Sequence, residues 1–400
     1  MSIRSINQKA LKIFNQTGFP HQKNEYWKYT NLKKFKSLKF SQSNNFNYSK
    51  NNFNYFEFLD IPTITILNGK IISLPQHLEI DLLSNKLEDS LSGFHDSFSF
   101  DDLNQAKNNP FLVLNTAYFS NGIYLKMNQN FDNVLIKIIS NNTSENPESS
   151  YSRIYVDLEE GSSSKILLHH IGLDQNQQYY KNNVLSLNAN RNSKASILNI
   201  YEESKTSYSM NNIILNQSQD SNIKQSSFYL SSGFIRTDIK NNLNGTGASS
   251  LMDGLFLGND SQFIDNNIII NHNTEQTDSR VLYKGILDGN SQGVFNALVD
   301  VPFKSKNINS DQKNHNILLS KKARINSNPK LKISCDAVKC SHGSTIGNLD
   351  PDELFYLRSR GINLKKSKKI LLDSFMNEII QNSPFQDITN YINTRIDKLV

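Results

Sequence analysis

The sequence has few cysteines and no long apolar run. Only 2 of its 400 residues are cysteine, which is too few for the disulfide framework of a small secreted domain. No stretch approaches the roughly 18 apolar residues of a membrane-spanning helix, and no apolar segment follows the basic start of the chain as in a signal peptide. We therefore expect a cytoplasmic protein whose cysteines remain reduced thiols.

Charge is also scarce, because only 20% of the residues are charged and the net charge at pH 7 is +6. The densest cationic cluster, at residues 365–369, is typical of a solvated helix face. Hydrophobic residues still make up 37% of the chain, which is enough to fill a sizeable core. The composition therefore indicates a folded protein that binds neither nucleic acid nor membrane.

The common catalytic motifs are missing as well. No glycine-rich loop ends in the Lys-Ser/Thr pair of a P-loop, and the sequence contains no G-x-S-x-G, H-E-x-x-H or C-x-x-C. His169 and His170 are adjacent and would face opposite sides of a strand, so we interpret them as structural residues. We therefore expect a protein that is not an enzyme by itself.

A repeat of short strands dominates the middle of the chain. From about residue 133 to 346, apolar and polar residues alternate between turns rich in Asn, Gly, Ser and Asp. The average step between similar apolar segments is about 27 residues, which is typical of a solenoid. These segments begin at Ile154, Val184, Ile213, Ile239, Ile268, Phe295 and Ile317.

The fold class that this pattern predicts is mainly β, with a right-handed parallel β-helix flanked by helical regions. The many Asn residues fit coil corners, because Asn tolerates left-handed backbone conformations better than most residues. A large β-sandwich would also contain many short strands, but with less regular spacing.

Two further regions flank the repeat. Residues 1–130 are a mixed, partly helical region, residues 131–347 form the predicted β-helix, and residues 348–400 are a helical region. The last region opens with Asp350, Pro351 and Glu353, which together form a strong helix-start signal. Its helices have more apolar face than a short bundle can bury alone, so we expect them to pack on the solenoid or on another protein.

The segment with the most chemical character contains Cys335, Cys340 and His342. In an extended strand, Cys340 and His342 are two residues apart and share a face, whereas Cys335 faces the other way. We therefore expect Cys335 to be buried by packing. One thiolate and one imidazole cannot complete a metal site, so any metal or cluster here needs ligands from elsewhere. A purely packed and hydrogen-bonded pair remains the alternative.

Several motifs resemble the SufB/SufD family of iron–sulfur cluster assembly scaffolds. Residues 335–347 (CDAVKCSHGSTIG) and 354–362 (LFYLRSRGI) closely resemble the family's C-terminal signature. Residues 18–20 (GFP) and 25–30 (EYWKYT) look like the opening pattern of the SufD branch. The chain length and the sequence Cys-Ser-His at residue 340 also resemble this branch.

The resemblance implies a scaffold that depends on partners. In this family SufB and SufD pair through their solenoids, each contacts one copy of the SufC ATPase, and the nascent cluster forms between SufB and SufD. His342 matches the cluster-site histidine, with Cys340 beside it. The resemblance thus implies a transient iron–sulfur cluster held by His342 and by ligands of the partner subunit, with none bound stably by this chain alone.

The same resemblance places ATP hydrolysis in a SufC-like ABC-type partner and the docking surface for that partner on the C-terminal helices. The docking residues implied are Leu354, Tyr356, Leu357, Arg358, Arg360 and Phe375.

Two other functions stay open at this point. Many β-helix proteins bind or cleave carbohydrate, but such an enzyme would need an organised carboxylate pair or a Ca²⁺ site, and the acidic residues here are scattered among turns. A solenoid adaptor without cluster chemistry is the second alternative.

Overall fold

In the computed structural model, the strands from β5 (Ile123–Met127) onward alternate between two sheets, pair in parallel with the neighbouring coil and wind into a β-solenoid of about 7 turns. By contrast, β3 (Lys70–Ser73) and β4 (Glu79–Leu82) add antiparallel edges. Strands account for 48% of the chain, and helices lie at both ends, so the predicted parallel β-helix class is confirmed. The structure describes residues 3–43, 56, 59–76, 78–88, 103, 106–128, 133–142, 144–385 and 388–397.

The described residues form seven α-helices and twenty strands. The helices are α1 Ile3–Thr17, α2 Lys33–Ser37, α3 Leu83–Glu88, α4 Pro110–Tyr118, α5 Pro351–Ser359, α6 Leu364–Gln381 and α7 Thr389–Ile396. The first ten strands are β1 Ser41–Gln42, β2 Thr63–Leu67, β3 Lys70–Ser73, β4 Glu79–Leu82, β5 Ile123–Met127, β6 Asn133–Ser140, β7 Glu148–Leu158, β8 Ser163–Gly172, β9 Tyr179–Ala189 and β10 Lys194–Glu202. The other ten are β11 Tyr208–Gln217, β12 Asn222–Ser231, β13 Phe234–Leu243, β14 Ser249–Gly258, β15 Phe263–His272, β16 Asp278–Leu287, β17 Gln292–Val301, β18 Ile308–Leu318, β19 Arg324–Ile333 and β20 Val338–Gly347.

Each sheet contains every second strand. Sheet A runs β4, β5, β7 and onward through the odd-numbered strands to β19, with β1 paired to β7. Sheet B runs β3, β2, β6 and onward through the even-numbered strands to β20. The sequence repeat corresponds to one coil, because Ile213, Ile239 and Ile268 pair directly across β11, β13 and β15. Ile317, however, lies in β18 of the other sheet.

The solenoid interior is filled by alternate residues of both sheets. Side chains such as Ile197, Ile213 and Ile268 belong to one continuous core cluster, and each is almost completely buried. Alternation along a strand sends every second side chain inward, and parallel register stacks it on its equivalent in the neighbouring coil. The core therefore consists of rows of side chains that run along the solenoid axis.

Two glycines make room for aromatic rings inside these rows. Gly254 pairs with Tyr283, and Phe256 pairs with Gly285, on the adjacent strands β14 and β16. A Cβ atom at Gly254 would lie 2.2 Å from the Tyr283 ring, and one at Gly285 would lie 2.2 Å from the Phe256 ring. Each ring therefore occupies the space that a side chain at the facing position would fill.

Asparagine serves the strands as well as the turns. Asn192 and Asn307 have positive φ angles, as expected for coil corners. Along the outer face of sheet A, the amides of Asn188, Asn216, Asn242 and Asn271 form a ladder with hydrogen bonds of 3.0, 2.8 and 2.8 Å. Parallel register brings identical side chains together, so the amides satisfy one another across the strands.

The N-terminal region docks on sheet A around one buried arginine. The Arg236 guanidinium lies 3.9 Å from the centre of the Trp27 ring and donates to the backbone oxygen of Tyr26 at 3.1 Å. It also donates to Asp265 at 2.5 Å and to Asp238 at 2.9 Å. The conspicuous sequence at residues 25–30 therefore has a structural role, because it covers a charge cluster on the solenoid.

The last two helices cover the outer face of sheet B. Apolar residues of α6 and α7, including Met376, Ile379 and Ile392, share one buried cluster with outward-facing residues such as Leu198 and Leu255. By contrast, α5 buries none of its residues. None of the described helices is long and apolar enough to cross a membrane.

The packing of Gly254 against the Tyr283 ring can be tested by a substitution that adds one methyl group at residue 254. We expect Gly254→Ala to lower the free energy of unfolding by about 1–3 kcal/mol, because the added Cβ overlaps the buried Tyr283 ring. Gly343→Ala is the matched control, since a Cβ at that strand position meets no atom within 4 Å. Urea unfolding of both variants measures the difference, and equal midpoints would contradict the packing described here.

Asp253 gives a pH-dependent prediction. It is fully buried on β14 beneath α6, and burial raises its pKa from 3.8 to about 6. The charged form is disfavoured in the folded state, so the penalty is present above pH 6 and disappears as the pH falls towards 4.

We therefore expect Asp253→Asn to stabilise the protein by up to about 3 kcal/mol at pH 7.5 and by much less at pH 4.5. Asp278→Asn, at an exposed position on the neighbouring strand, should change stability by less than about 0.5 kcal/mol at either pH. Chemical unfolding at both pH values distinguishes the variants. A gain for Asp253→Asn that does not depend on pH would show that the charge is not the cause.

Candidate functional site

The solenoid is open at its C-terminal end. β19 and β20 are the last strands of sheets A and B, and each pairs with an earlier strand on one side only. Most residues of both strands are exposed or half-buried, whereas the equivalent positions in the central coils are buried. The inward-facing side chains of the last coil therefore have no coil above them among the described residues.

Cys340 and His342 lie on the inner face of β20, as the two-residue spacing predicts. In the ladder between β18 and β20, Cys340 pairs with Ser310 and His342 pairs with Gln312. Ser310 and Gln312 are buried in the solenoid. Cys340 is half-buried against the core, and His342 is exposed. Both side chains are thus presented at the open end on the same side.

The thiol of Cys340 is partly shielded from solvent. Burial raises the pKa of Cys340 above its ordinary value of 9.0. The thiol is therefore protonated near neutral pH in the chain alone, and it must lose this proton to bind a metal. A cation at the open end would favour that loss, because it stabilises the thiolate.

Polar side chains line the solenoid just below these two residues. Ser344 on β20 hydrogen-bonds Ser327 on β19 at 2.7 Å, and Ser327 donates to Asn314 on β18 at 2.7 Å. Gln312 donates to the backbone oxygen of Lys330 at 3.3 Å. These bonds tie the last strands of both sheets together, so they fix the backbone that carries Cys340 and His342.

A buried hydrogen-bond chain leads from the interior to Ser310, which is the ladder neighbour of Cys340. His272 contacts Thr277 at 2.7 Å and Ser279 at 2.9 Å, and Ser279 contacts Ser310 at 2.8 Å. Burial lowers the pKa of His272 to about 4, so its imidazole is neutral at physiological pH. The chain holds Ser310, the ladder neighbour of Cys340, in a fixed orientation. Sequence reasoning missed it, because only the register shows that these serines form one row.

Cys335 is buried as predicted, but it lies in the turn before β20 and packs in the same core cluster as Cys340, so it does not face the opposite side of one strand. His170 faces inward and stacks on Tyr201 with a centroid distance of 4.4 Å, whereas His169 faces outward and contacts Glu202 at 2.8 Å. Glu202 also accepts hydrogen bonds from the side chains of α7, so His169 helps to anchor that helix.

The open end offers only part of a metal site. No group of three or more His, Cys, Asp and Glu residues that could hold a metal ion occurs in the described part of the chain. A tetrahedral iron or zinc site requires four ligands, and Cys340 and His342 could supply at most two of them. A metal or cluster bound here would need ligands from another chain.

A second exposed feature is α5, which begins at the predicted N-cap residue Asp350. The side chain of Asp350 accepts hydrogen bonds from the backbone of Asp352 and Glu353. Phe355 is 73% exposed and Tyr356 is 57% exposed, which is unusual for large aromatic residues. Their neighbours on the helix are the half-buried Leu354 and Leu357 and the exposed Arg358 and Arg360.

Phe375 does not lie with the other predicted docking residues. It is half-buried at the contact between α6 and sheet B, where the Lys284 ammonium is 5.1 Å from the centre of its ring. The structure thus separates the predicted set into an exposed group on α5 and one residue that packs on the solenoid.

Comparison with known proteins finds relatives of this chain among iron–sulfur cluster assembly proteins. The family model of the SufBD core domain of the SUF system for iron–sulfur cluster assembly matches residues 139–375. The iron–sulfur cluster assembly protein SufD of Escherichia coli is 25% identical over 377 residues, which is 94% of this chain and 88% of that protein.

Two further relatives match over shorter segments. SufD of Bacillus subtilis is 24% identical over 182 residues, covering 46% of this chain and 42% of that protein. A SufBD family protein of Synechocystis is 45% identical over 121 residues, covering 30% of this chain and 26% of that protein. The chain therefore belongs to the SufBD core family of the SUF system of iron–sulfur cluster assembly, on the SufD branch of that family.

Proposed function

We propose that this chain is a cytoplasmic, non-catalytic scaffold subunit that pairs with a SufB-like paralogue and binds a SufC-like ATPase while an iron–sulfur cluster is assembled. The observation that carries the proposal is the uncovered last coil with Cys340 and His342 on its inner face. A stack of coils that ends without a cap leaves backbone and side chains that a second solenoid can cover.

The edge of the last coil supports pairing with another β-solenoid. β19 and β20 each present one free edge of backbone donors and acceptors, which is the template for adding a strand from a partner. Ile333 is 41% exposed and Ile346 is 52% exposed on these strands. A partner that continues the stack would bury both side chains, and a paralogue with the same coil geometry fits this requirement.

The cluster itself is cargo of the proposed complex. A neutral imidazole and a thiolate are competent iron ligands. Here His342 would supply the imidazole and Cys340 the thiolate. The remaining ligands, thiolate or carboxylate, would come from the paralogue across the interface. Because the site is complete only in the complex, transfer of the cluster to a recipient protein could accompany opening of the interface.

The exposed surface of α5 supports binding of the ATPase. Much of the apolar surface of α6 and α7 is covered by sheet B, whereas α5 buries none of its residues and exposes Phe355 and Tyr356. Its aromatic side chains beside Arg358 and Arg360 have the composition of interface hot spots. ATP hydrolysis is assigned to that partner, and this chain would transmit the resulting movement to the open end.

The first test addresses His342. In a complex with the SufB-like and SufC-like partners, we expect His342→Ala to lower the cluster yield at least about fivefold, because one ligand is lost. His315→Ala is the matched control, since His315 lies on the outer face of the neighbouring strand and hydrogen-bonds Thr345. Cluster formation is followed by absorbance and complex integrity by size-exclusion chromatography. Normal cluster yield with His342→Ala would refute the site.

The second test addresses α5. We expect the double variant Phe355→Ser and Tyr356→Ser to weaken binding of the SufC-like ATPase at least about tenfold, because two exposed aromatic anchors are removed. Phe303→Ser is the control, since Phe303 is 80% exposed in a turn of the solenoid. Titration calorimetry measures binding, and circular dichroism checks the fold. Unchanged affinity in the double variant would exclude α5 as the docking surface.

A further inference from the structure

A groove of about 770 Å³ lies between the N-terminal region and the central coils, far along the chain from β20 and α5. One wall is formed by residues 29–37, and the other by the corners that precede β11, β13 and β15. The volume is within the range of about 300–1,000 Å³ that small-molecule sites occupy. We refer to this feature as the aromatic groove.

The floor of the aromatic groove is a row of three rings. Tyr208, Phe234 and Phe263 follow one another in register on β11, β13 and β15, with centroid distances of 5.7 and 4.8 Å. The next strand of the sheet places Gln292 in this row. Among the described residues, therefore, no ring covers the second face of the half-buried Phe263. The Phe263 ring is thus the last ring of the row, and because only the exposed side chain of Gln292 lies beyond it in register, its face can act as a platform for a planar ring.

Cationic side chains surround this floor. Lys33 and Lys34 extend from α2 on one wall, and Lys205 lies on the other. Lys205 pairs with Asp260 at 3.2 Å, whereas Lys33 and Lys34 form no ion pair with a described residue. No carboxylate is among the residues that line the groove. The groove thus combines an apolar, planar floor with an unbalanced positive charge at its rim.

We propose that the aromatic groove binds a nucleotide, with the base stacked on the Phe263 end of the row and the phosphates paired with Lys33 and Lys34. Lysine ammonium groups bind phosphate as point charges, and stacking on an aromatic ring tolerates any base. The exposed amide of Gln292 at the same end offers a donor and an acceptor to the edge of the base. A neutral ligand such as a sugar would leave the lysines without partners.

The proposed site is independent of the proposed scaffold function. None of its residues lies on β19, β20 or α5, and the groove connects two parts of the same chain. A nucleotide bound between residues 29–37 and the coil corners would contact both parts, so binding should also raise the midpoint of thermal unfolding.

The experiment uses the full chain and the fluorescent nucleotide mant-ADP, with ADP, adenosine and pyrophosphate as unlabelled competitors. We expect saturable binding below about 1 mM. ADP should displace mant-ADP at least about tenfold better than adenosine, which lacks phosphates, and than pyrophosphate, which lacks the ring. No saturable signal would overturn the proposal, and so would displacement by pyrophosphate as effective as that by ADP.

Variants locate the site. The double variant Lys33→Gln and Lys34→Gln should weaken ADP about tenfold without changing the weak competition by adenosine. Phe263→Leu keeps an apolar side chain but removes the ring, and it should weaken ADP several-fold while pyrophosphate is unaffected. The matched control is Lys321→Gln with Lys322→Gln, an exposed lysine pair outside the groove. Equal loss of ADP binding in both lysine variants would place the nucleotide elsewhere and overturn the proposal.

Discussion

In a parallel stack of coils, an inward-facing side chain is covered only when the next coil lies on top of it. This constraint shapes the whole molecule. Through the central coils it produces continuous rows, such as Ile213, Ile239 and Ile268, in which each residue is buried by its neighbour. At the last coil the rows end in the open, and a thiol, an imidazole and small polar side chains lie there beside exposed isoleucines such as Ile333 and Ile346.

The outer faces of the two sheets meet the same requirement in different ways. Sheet A is covered at one end by the N-terminal region, which is held by Arg236 between two carboxylates and the Trp27 ring. Sheet B is covered by α6 and α7, whose apolar faces match outward-facing leucines and isoleucines. The proposed activities lie on three surfaces that these elements leave accessible, namely the open end, α5 and the aromatic groove.

The repeat and the inner pair were predictable from the sequence, because strand periodicity alone places Cys340 and His342 on one face. The chain from His272 to Ser310 was not predictable, since Ser279 and Ser310 become neighbours only through the register of β16 and β18. The apolar stripe of the C-terminal helices was visible too. Which helix keeps a free surface depends on what sheet B presents outward, and a single sequence does not show that.

Stacking in one dimension also determines how stability is distributed along the chain. A central coil has two neighbours, but the coil of β19 and β20 has one, so opening it breaks about half as many contacts. Its amide hydrogens therefore exchange with solvent before those of the central coils. The coil that carries Cys340 and His342 is thus less protected than the central coils, and a partner that covers it would slow this exchange.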